Sequence, residues 1–314
     1  MTKRQMMMIA MTVLLSGSVY SQSTKRLIKA YNAEQSMSFE YAPNGKLAKF
    51  NFVYGASETR TDTYTYATDK IVQEHVEGGS GIADHHTSTL TNGKITKTVV
   101  MMNENDPNIP VYEITYDYTY NDANQLVKVV LKNGNDNKNV TSKITWADGG
   151  ISNIKQYEDE TLIGEINFTY DPMITNKHVI MLVNPLQNIL NYEGMIPYGQ
   201  FLADYYGTPT KHAVKSMQYV PRVEDHFGWN SEDSFNLTYT KNEEGDVVKI
   251  AQTDTDDTVM SLEWTATSTG ISAAPHCQAM PEVYFNGNGI RQSRLQKGLN
   301  IIKSTNGSVR KVLK

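Results

Sequence analysis

Cysteine is almost missing from this chain of 314 residues: Cys277 is the single one. An exported protein with one cysteine holds no internal disulfide, so a packed core must stabilise it. Cys277 is also a weak candidate nucleophile. The base beside it is His276, and consecutive side chains in extended chain point apart. Long apolar runs are missing beyond residue 15, which excludes a later membrane helix of about 20 residues. There is no Gly-x-Ser-x-Gly elbow, no phosphate-binding loop and no dinucleotide fingerprint. The seven histidines (His75, His85, His86, His178, His212, His226 and His276) show no metal-ligand spacing. His85 and His86 read as a surface pair in a polar turn beside Asp84. Asp254-Thr255-Asp256-Asp257 offers the oxygens that calcium prefers, but it lacks a twelve-residue loop and a closing Glu, so it reads as a solvated turn. No metal and no cofactor is expected.

The N-terminus carries the clearest address. Met1 to Gln5 is basic, Met6 to Leu15 is apolar but for Thr12, and Ser16 to Ser21 supplies small residues. This order reads as a signal peptide, residues 1–21, cleaved between Ser21 and Gln22. Without Lys3 and Arg4 the chain keeps 27 basic against 34 acidic residues. Seven of those basic residues (Arg291, Arg294, Lys297, Lys303, Arg310, Lys311 and Lys314) fall after Glu282, where no acidic residue remains. The body from 22 to 282 is therefore strongly acidic, which argues against nucleic acid as partner. The charge break marks a separate C-terminal module.

What is abundant is alternation. Thr61 to Tyr66 alternates Thr with Asp or Tyr, and Ile114 to Tyr120 and Ser234 to Tyr239 place aromatic or aliphatic residues at every second position, the period of a half-buried strand. Tight polar turns follow, and a second strand opens two positions later with an aliphatic residue. Such units begin at residues 45, 69, 93, 124, 149 and 245, and the last interval, 96, is close to four of the shorter ones. In the clearest units apolar residues fall at +2 and +5 with a lysine at +4. On a regular strand +2 and +5 face opposite sides. Either a bulge separates them, or both faces are partly covered.

Residues 172–230 interrupt this pattern. Asn184 to Tyr192 suits one short helix, and a Pro- and Gly-punctuated aromatic stretch follows. Its aromatics either cap one end of the core or form a ligand platform, for which Tyr198, Tyr205, Tyr206 and Trp229 are the candidates. From Thr267 the composition turns to Ser, Thr, Ala and Pro, a linker, before three turn-bounded strands near the C-terminus.

Two resemblances follow from these residues. Tyr116 to Asp122, Ile144 to Gly150 and Leu237 to Ile250 resemble a Bacteroidetes family of exported proteins with a domain of unknown function, whose hairpins are similar to the YD repeats of RHS shells. Thr269 to Ser272, Val283 to Gly289, Gln296 to Ile302 and Asn306 to Lys314 resemble the sorting tails of type IX secretion cargo. Asp257-Thr258-Val259 is similar to that phylum's O-glycosylation acceptor, with Thr258 as the acceptor.

The expected fold is all-β: repeated antiparallel hairpins forming a large twisted sheet, one or two short helices near 185–206, and a small C-terminal β module. The expected division is 1–21 signal peptide, 22–266 hairpin domain, 267–281 linker and 282–314 sorting-like module. The expected function is a non-enzymatic exported module of the periplasm, outer-membrane surface or exterior. It would bind a glycan, a peptide or an envelope protein. The alternative is a secreted, glycosidase-like hydrolase, which needs two carboxylates in a cleft.

Overall fold

The structure, a computed structural model, describes residues 25–55, 58–78, 83–103, 110–134, 139–176, 182–188, 200–223, 234–253 and 258–265, and four short strands between 283 and 313. The signal segment with Ser21 and Gln22, the linker and the Asp254–Asp257 turn lie outside them.

Sixteen strands follow one another in the body. They are β1 (Leu27–Tyr31), β2 (Gln35–Tyr41), β3 (Leu47–Tyr54), β4 (Glu58–Tyr66), β5 (Lys70–Glu77), β6 (Ala83–Thr91), β7 (Lys94–Met102) and β8 (Tyr112–Tyr120). Then come β9 (Leu126–Asn133), β10 (Asn139–Ala147), β11 (Gly150–Glu158), β12 (Thr161–Thr175), β13 (His212–Pro221), β14 (Phe235–Lys241), β15 (Val247–Gln252) and β16 (Thr258–Trp264). Each pairs antiparallel with its sequence neighbours, as short turns require. β1 also pairs with β16, Ala30 opposite Leu262 and Tyr31 opposite Ser261, which closes a barrel. The expected open, twisted sheet of hairpins is therefore incorrect. No local pattern announces the pairing of the first and last strands, 239 residues apart at Arg26 and Thr265. Among the described residues the expected α-helices are also absent. Among the described residues, 185–206 holds two 3-10 turns, Pro185–Asn188 and Gln200–Tyr205, the second kinked at Leu202.

β17 (Val283–Asn286), β18 (Arg291–Gln292), β19 (Leu299–Lys303) and β20 (Val309–Leu313) form a second antiparallel sheet, in the order β18-β17-β19-β20.

The barrel closes by a repeated device. Every odd-numbered strand except β5 carries a one-residue bulge just after its first inward aliphatic residue. On β7, Leu90 faces Ile95 but Thr89 faces Lys97, leaving Thr96 extra. On β9, Tyr120 faces Leu126 and Thr119 faces Lys128. The same shift follows Leu27, Leu47, Ile151, Val214 and Val247. A bulge turns the side-chain parity by one position, so Leu47 with Phe50, Leu126 with Val129 and Ile151 with Ile154 all face inward and are buried. This explains the +2 and +5 spacing. It also bends each strand and adds twist, which curls a sheet towards closure.

Each bulge comes with an aromatic partner. The last inward aromatic of the next even strand donates to the carbonyl of the aliphatic residue before the bulge. Tyr41 bonds Leu27 O at 2.8 Å, Tyr66 bonds Leu47 O at 2.9 Å and Tyr120 bonds Ile95 O at 2.6 Å. Trp146 Nε1 bonds Leu126 O at 2.8 Å, Tyr170 bonds Ile151 O at 2.8 Å and Trp264 Nε1 bonds Val247 O at 2.6 Å. Tyr239 bonds the Val214 carbonyl likewise. Burial pushes the Tyr41 phenol up to about 12 and raises Tyr66, Tyr120, Tyr170 and Tyr239 as well. Gly150 makes room for this: a Cβ there would stand 2.5 Å from the Tyr170 ring.

The turns at one end are short, and residues 200–211, between β12 and β13, cover that end. Phe201 packs against Phe50 and Phe39, with ring centroids 4.3 and 5.5 Å apart, and Tyr206 packs against Tyr118 at 5.3 Å. Thr208 N bonds Asn124 O and Lys211 N bonds Gly149 O, both at 2.8 Å. Gly207, at φ +80°, is needed there, because a Cβ would stand 2.2 Å from Asn124 O. The 96-residue interval thus holds one hairpin unit carrying a long insertion, not four more units.

Candidate functional site

The bulge-and-aromatic rule fails once. β5 pairs with β4 and β6 without a register shift, and β6 has Leu90 where its counterparts have Tyr or Trp. The same three strands bring a block of polar side chains into the barrel. Period two from Tyr66 back along β4 points Tyr64, Asp62 and Arg60 inward. From Ile71 it points Gln73 and His75 inward, and from Leu90 it points Ser88, His86 and Asp84 inward. All eight are buried. Cross-strand register stacks them in rows, Asp62–His75–Asp84 and Tyr64–Gln73–His86. Natural sequences break their local rules chiefly at functional sites, so this wall is the candidate.

Its centre is Asp62, 0% exposed. Arg60 reaches it with two hydrogen bonds, Nη2 to Oδ2 at 3.1 Å and Nε to Oδ1 at 3.4 Å, and His75 Nδ1 lies 2.6 Å from Oδ1. Burial alone would push the Asp62 carboxyl up. The His75 hydrogen bond and the Arg60 and His75 charges outweigh it and hold the carboxyl below its usual range. His86 is pushed the other way. Burial drives it down to about 3, against the pull of Asp62, so its ring is neutral. Asp84 accepts the Asn103 backbone N–H at 3.0 Å. Ser88 and Thr98 share a hydrogen bond at 2.9 Å, and Tyr118 reaches Thr98 at 3.3 Å.

The wall includes unsatisfied polar atoms. Tyr64 Oη and Gln73 Nε2, on directly opposed residues, have no hydrogen-bond partner among the described residues. Burial raises the Tyr64 phenol well above its ordinary value. Leaving such groups unpaired costs about 1–3 kcal/mol each, so maximal stability does not account for the wall.

The wall has an imidazole oriented by a carboxylate, an arrangement that hydrolases also use. His75 Nε2 has Glu77 Oε1 at 3.8 Å, and neither Ser88 nor Thr98 is hydrogen-bonded to it. Among the described residues no three His, Cys, Asp or Glu side chains are arranged to hold a metal ion.

The described residues among those selected from sequence lie elsewhere. Tyr206 is 3% exposed and belongs to the core, because its ring fills the covered end of the barrel, not a solvent-facing platform. Tyr205 is half-buried and stacks on Tyr66 at 6.0 Å, with Lys46 Nζ 4.7 Å above the Tyr66 ring. Tyr198 and Trp229 fall outside the described residues, and Thr258 begins β16. His86 is not a surface residue: it is 3% exposed inside β6. Parity was the available signal for the wall, since counting in twos from the inward aliphatic Ile71 points Gln73 and His75 inward. An open cleft of about 410 Å³ lies elsewhere, beside Asp148, Gly150, Ser152, Tyr170, Pro172 and His212.

The outer face has the opposite character. β8 points Ile114, Tyr116, Tyr118 and Tyr120 inward and Glu113, Thr115, Asp117 and Thr119 outward. β10 points Val140, Ser142, Ile144 and Trp146 inward and Thr141, Lys143 and Thr145 outward. No helix of the described residues is long and apolar enough to cross a membrane.

No functionally curated protein matches the sequence. Among solved structures the chain is similar to a porin-like protein from Bacteroides vulgatus, at 12% identity and a TM-score of 0.46, over 79% of this chain and 100% of that one. The chain belongs to the family described as a domain of unknown function (DUF4595) with porin-like fold, matched over residues 39–249. The family is thus a domain of unknown function, as the repeats led us to expect, and its described fold is porin-like instead of YD-repeat.

Proposed function

We propose that this porin-like barrel is not a pore. It is a non-enzymatic module of the cell envelope that works in water and presents its outer wall to partners. The observation that carries this reading is polarity. A membrane barrel turns an apolar band to lipid and a polar lining inward. Here Glu113, Asp117, Lys128, Lys143 and Lys155 sit on the outside, and apart from the polar wall of β4–β6 and a few buried polar side chains such as Ser142 and Gln156, an apolar core of Phe, Ile, Leu, Val and Tyr side chains fills the inside. Lysine on a lipid-facing strand costs about 2–4 kcal/mol at the bilayer midplane, so embedding Lys128, Lys143 and Lys155 there would cost roughly 6–12 kcal/mol.

The hydrolase reading has less support. A glycosidase acid needs a carboxyl with a raised pKa. Asp62, the most buried carboxylate of the wall, is held low instead. The wall then serves as an internal charge network that fixes the register of β4, β5 and β6, a use for which buried ion pairs are best attested.

Export rests on the residues 1–21 pattern. The C-terminal strands after residue 282 are the sorting address in this reading, and removing residues 269–314 leaves the barrel folded but retained in the periplasm. Secretion of the truncated protein at the full level would refute the sorting role.

The barrel reading is tested with residues 22–314. The expected result is a monodisperse protein without detergent that gives no conductance steps in planar bilayers. Dependence on detergent, or stepwise conductance, overturns it.

A further inference from the structure

Charged residues that face one another across barrel strands are elsewhere of opposite sign. Lys29 faces Glu263, Glu40 faces Lys49 and Lys97 faces Asp117. The outer wall of β9, β10 and β11 breaks this order. Lys128 lies opposite Lys143, and Lys143 lies opposite Lys155. Like charges directly opposed destabilise a sheet. Strands lie about 4.8 Å apart, so the register lines up three ammonium groups over about 10 Å, across the strands.

The row has little internal compensation. Lys128 and Lys143 are exposed and have no acidic partner among the described residues. Lys143 lies over the ring of Tyr157, 4.4 Å from its centroid. Lys155, at the edge of the row, is paired with Glu165 Oε2 at 3.7 Å, a carboxylate it shares with Arg222, which bonds Oε1 at 2.7 Å. The row is also narrow. Glu165 bounds it on β12, and Asp117, 3.6 Å from Lys132, lies beside it on β8. A membrane surface would need a broad basic face, and an acidic body disfavours a densely charged nucleic acid. A single extended chain with spaced anions fits such a stripe. The outward neighbour Thr141 adds a hydroxyl suited to ring hydroxyls, and Tyr157 adds an aromatic edge.

We propose that the outer wall of β9–β11 binds an acidic polysaccharide, whose carboxylates or sulfates pair with Lys128, Lys143 and Lys155. This rests on the reading that the outer wall faces water, and it names the partner of that wall.

The test uses residues 22–314 and polygalacturonate as probe, with neutral dextran, a single-stranded oligonucleotide and phosphatidylglycerol vesicles as comparators. Polygalacturonate binds in low salt and is released as salt rises, because exposed charges are screened. Combined Lys128→Gln, Lys143→Gln and Lys155→Gln substitutions weaken binding by about tenfold or more, whereas Lys49→Gln with Lys249→Gln leaves it within about twofold. The triple variant melts no lower than the parent, which separates lost binding from lost fold. Three results overturn the proposal: equal binding by the triple variant, tighter binding of vesicles or oligonucleotide than of polygalacturonate, or no binding of polygalacturonate at all. A detergent-free, non-conducting barrel that fails to bind would leave the reading of the fold intact and remove only the partner.

Discussion

The phenol of Tyr120 donates a 2.6 Å hydrogen bond to the carbonyl of Ile95, the residue just before the bulge in β7. A bulge disrupts the ladder locally, and the aromatic hydroxyl or indole supplies a replacement donor at the carbonyl beside it. The pairing of bulge and donor on β7 and β8 recurs around the barrel, and β5 with β6 lacks both together. That joint absence ties the two features to one another.

Tyr120→Phe keeps the ring and removes the donor. The variant is expected to lose about 1–3 kcal/mol, since a buried carbonyl is left unsatisfied. Urea unfolding of Tyr120→Phe against the parent measures this, and an unchanged midpoint would show that the bond is not stabilising. Leu90→Phe, at the equivalent position on β6, gains no such bond.

Gly150 and Tyr170 should be coupled. Gly150→Ala places a methyl 2.5 Å from the Tyr170 ring and displaces it from the Ile151 carbonyl. In a Tyr170→Ala background the same change should cost much less than in the parent. A double-mutant cycle reads the difference, expected at about 1–3 kcal/mol for directly touching residues. Additive effects would refute the contact.

Removing the Asp62 carboxylate breaks a buried ion pair. Asp62→Asn removes the carboxylate that takes two hydrogen bonds from Arg60, 5% exposed, and is expected to cost about 3–5 kcal/mol. Adding Arg60→Met should recover part of that loss, because an apolar pair of similar volume often replaces a buried ion pair at little cost. Circular dichroism melts of the single and double variants decide it.

Acid should weaken the wall through two groups with the same sign. The folded-state carboxyl of Asp62 lies below its unfolded value, so its contribution is present above the unfolded pKa and lost as pH falls through the folded one. His86 is lowered from 6.5 to about 3, so the unfolded chain takes up the proton first. Its contribution is complete above pH 6.5 and declines towards pH 3. One proton corresponds to a slope of up to about 1.4 kcal/mol per pH unit. Urea unfolding between pH 7 and pH 4 should therefore show a shallower decline for His86→Leu than for the parent. Parallel curves would place His86 in contact with solvent.

Lys143→Glu should act in opposite directions on stability and binding. It turns two like-charged cross-strand pairs into two attractive ones, a gain of about 0.2–1 kcal/mol for each. The same substitution should abolish polygalacturonate binding. A variant that is both more stable and unable to bind would show that the lysine row is kept for its partner.

Strand identity was legible in the chain because it is local. Ile114 to Tyr120 alternates in twos, and Asn124 and Gly149 mark turns where the backbone enters positive φ, at 60° and 79°. The +2 and +5 spacing of Leu126 and Val129 carried the bulge in encrypted form, since a bulge is the local device that turns both residues to one side. Closure was not legible. Ala30 and Leu262 meet across the whole body of the chain, and no short-range pattern encodes which distant edge a strand will find. The wall was half legible: parity along β5 points His75 inward, but only the register of three strands brings it against Asp62. The lysine row has the same origin. Lys128, Lys143 and Lys155 are scattered in sequence at unremarkable positions, and strand pairing alone sets them side by side. Side-chain periodicity belongs to the chain, whereas register and closure come from contacts between residues far apart in it, and both candidate surfaces depend on the latter.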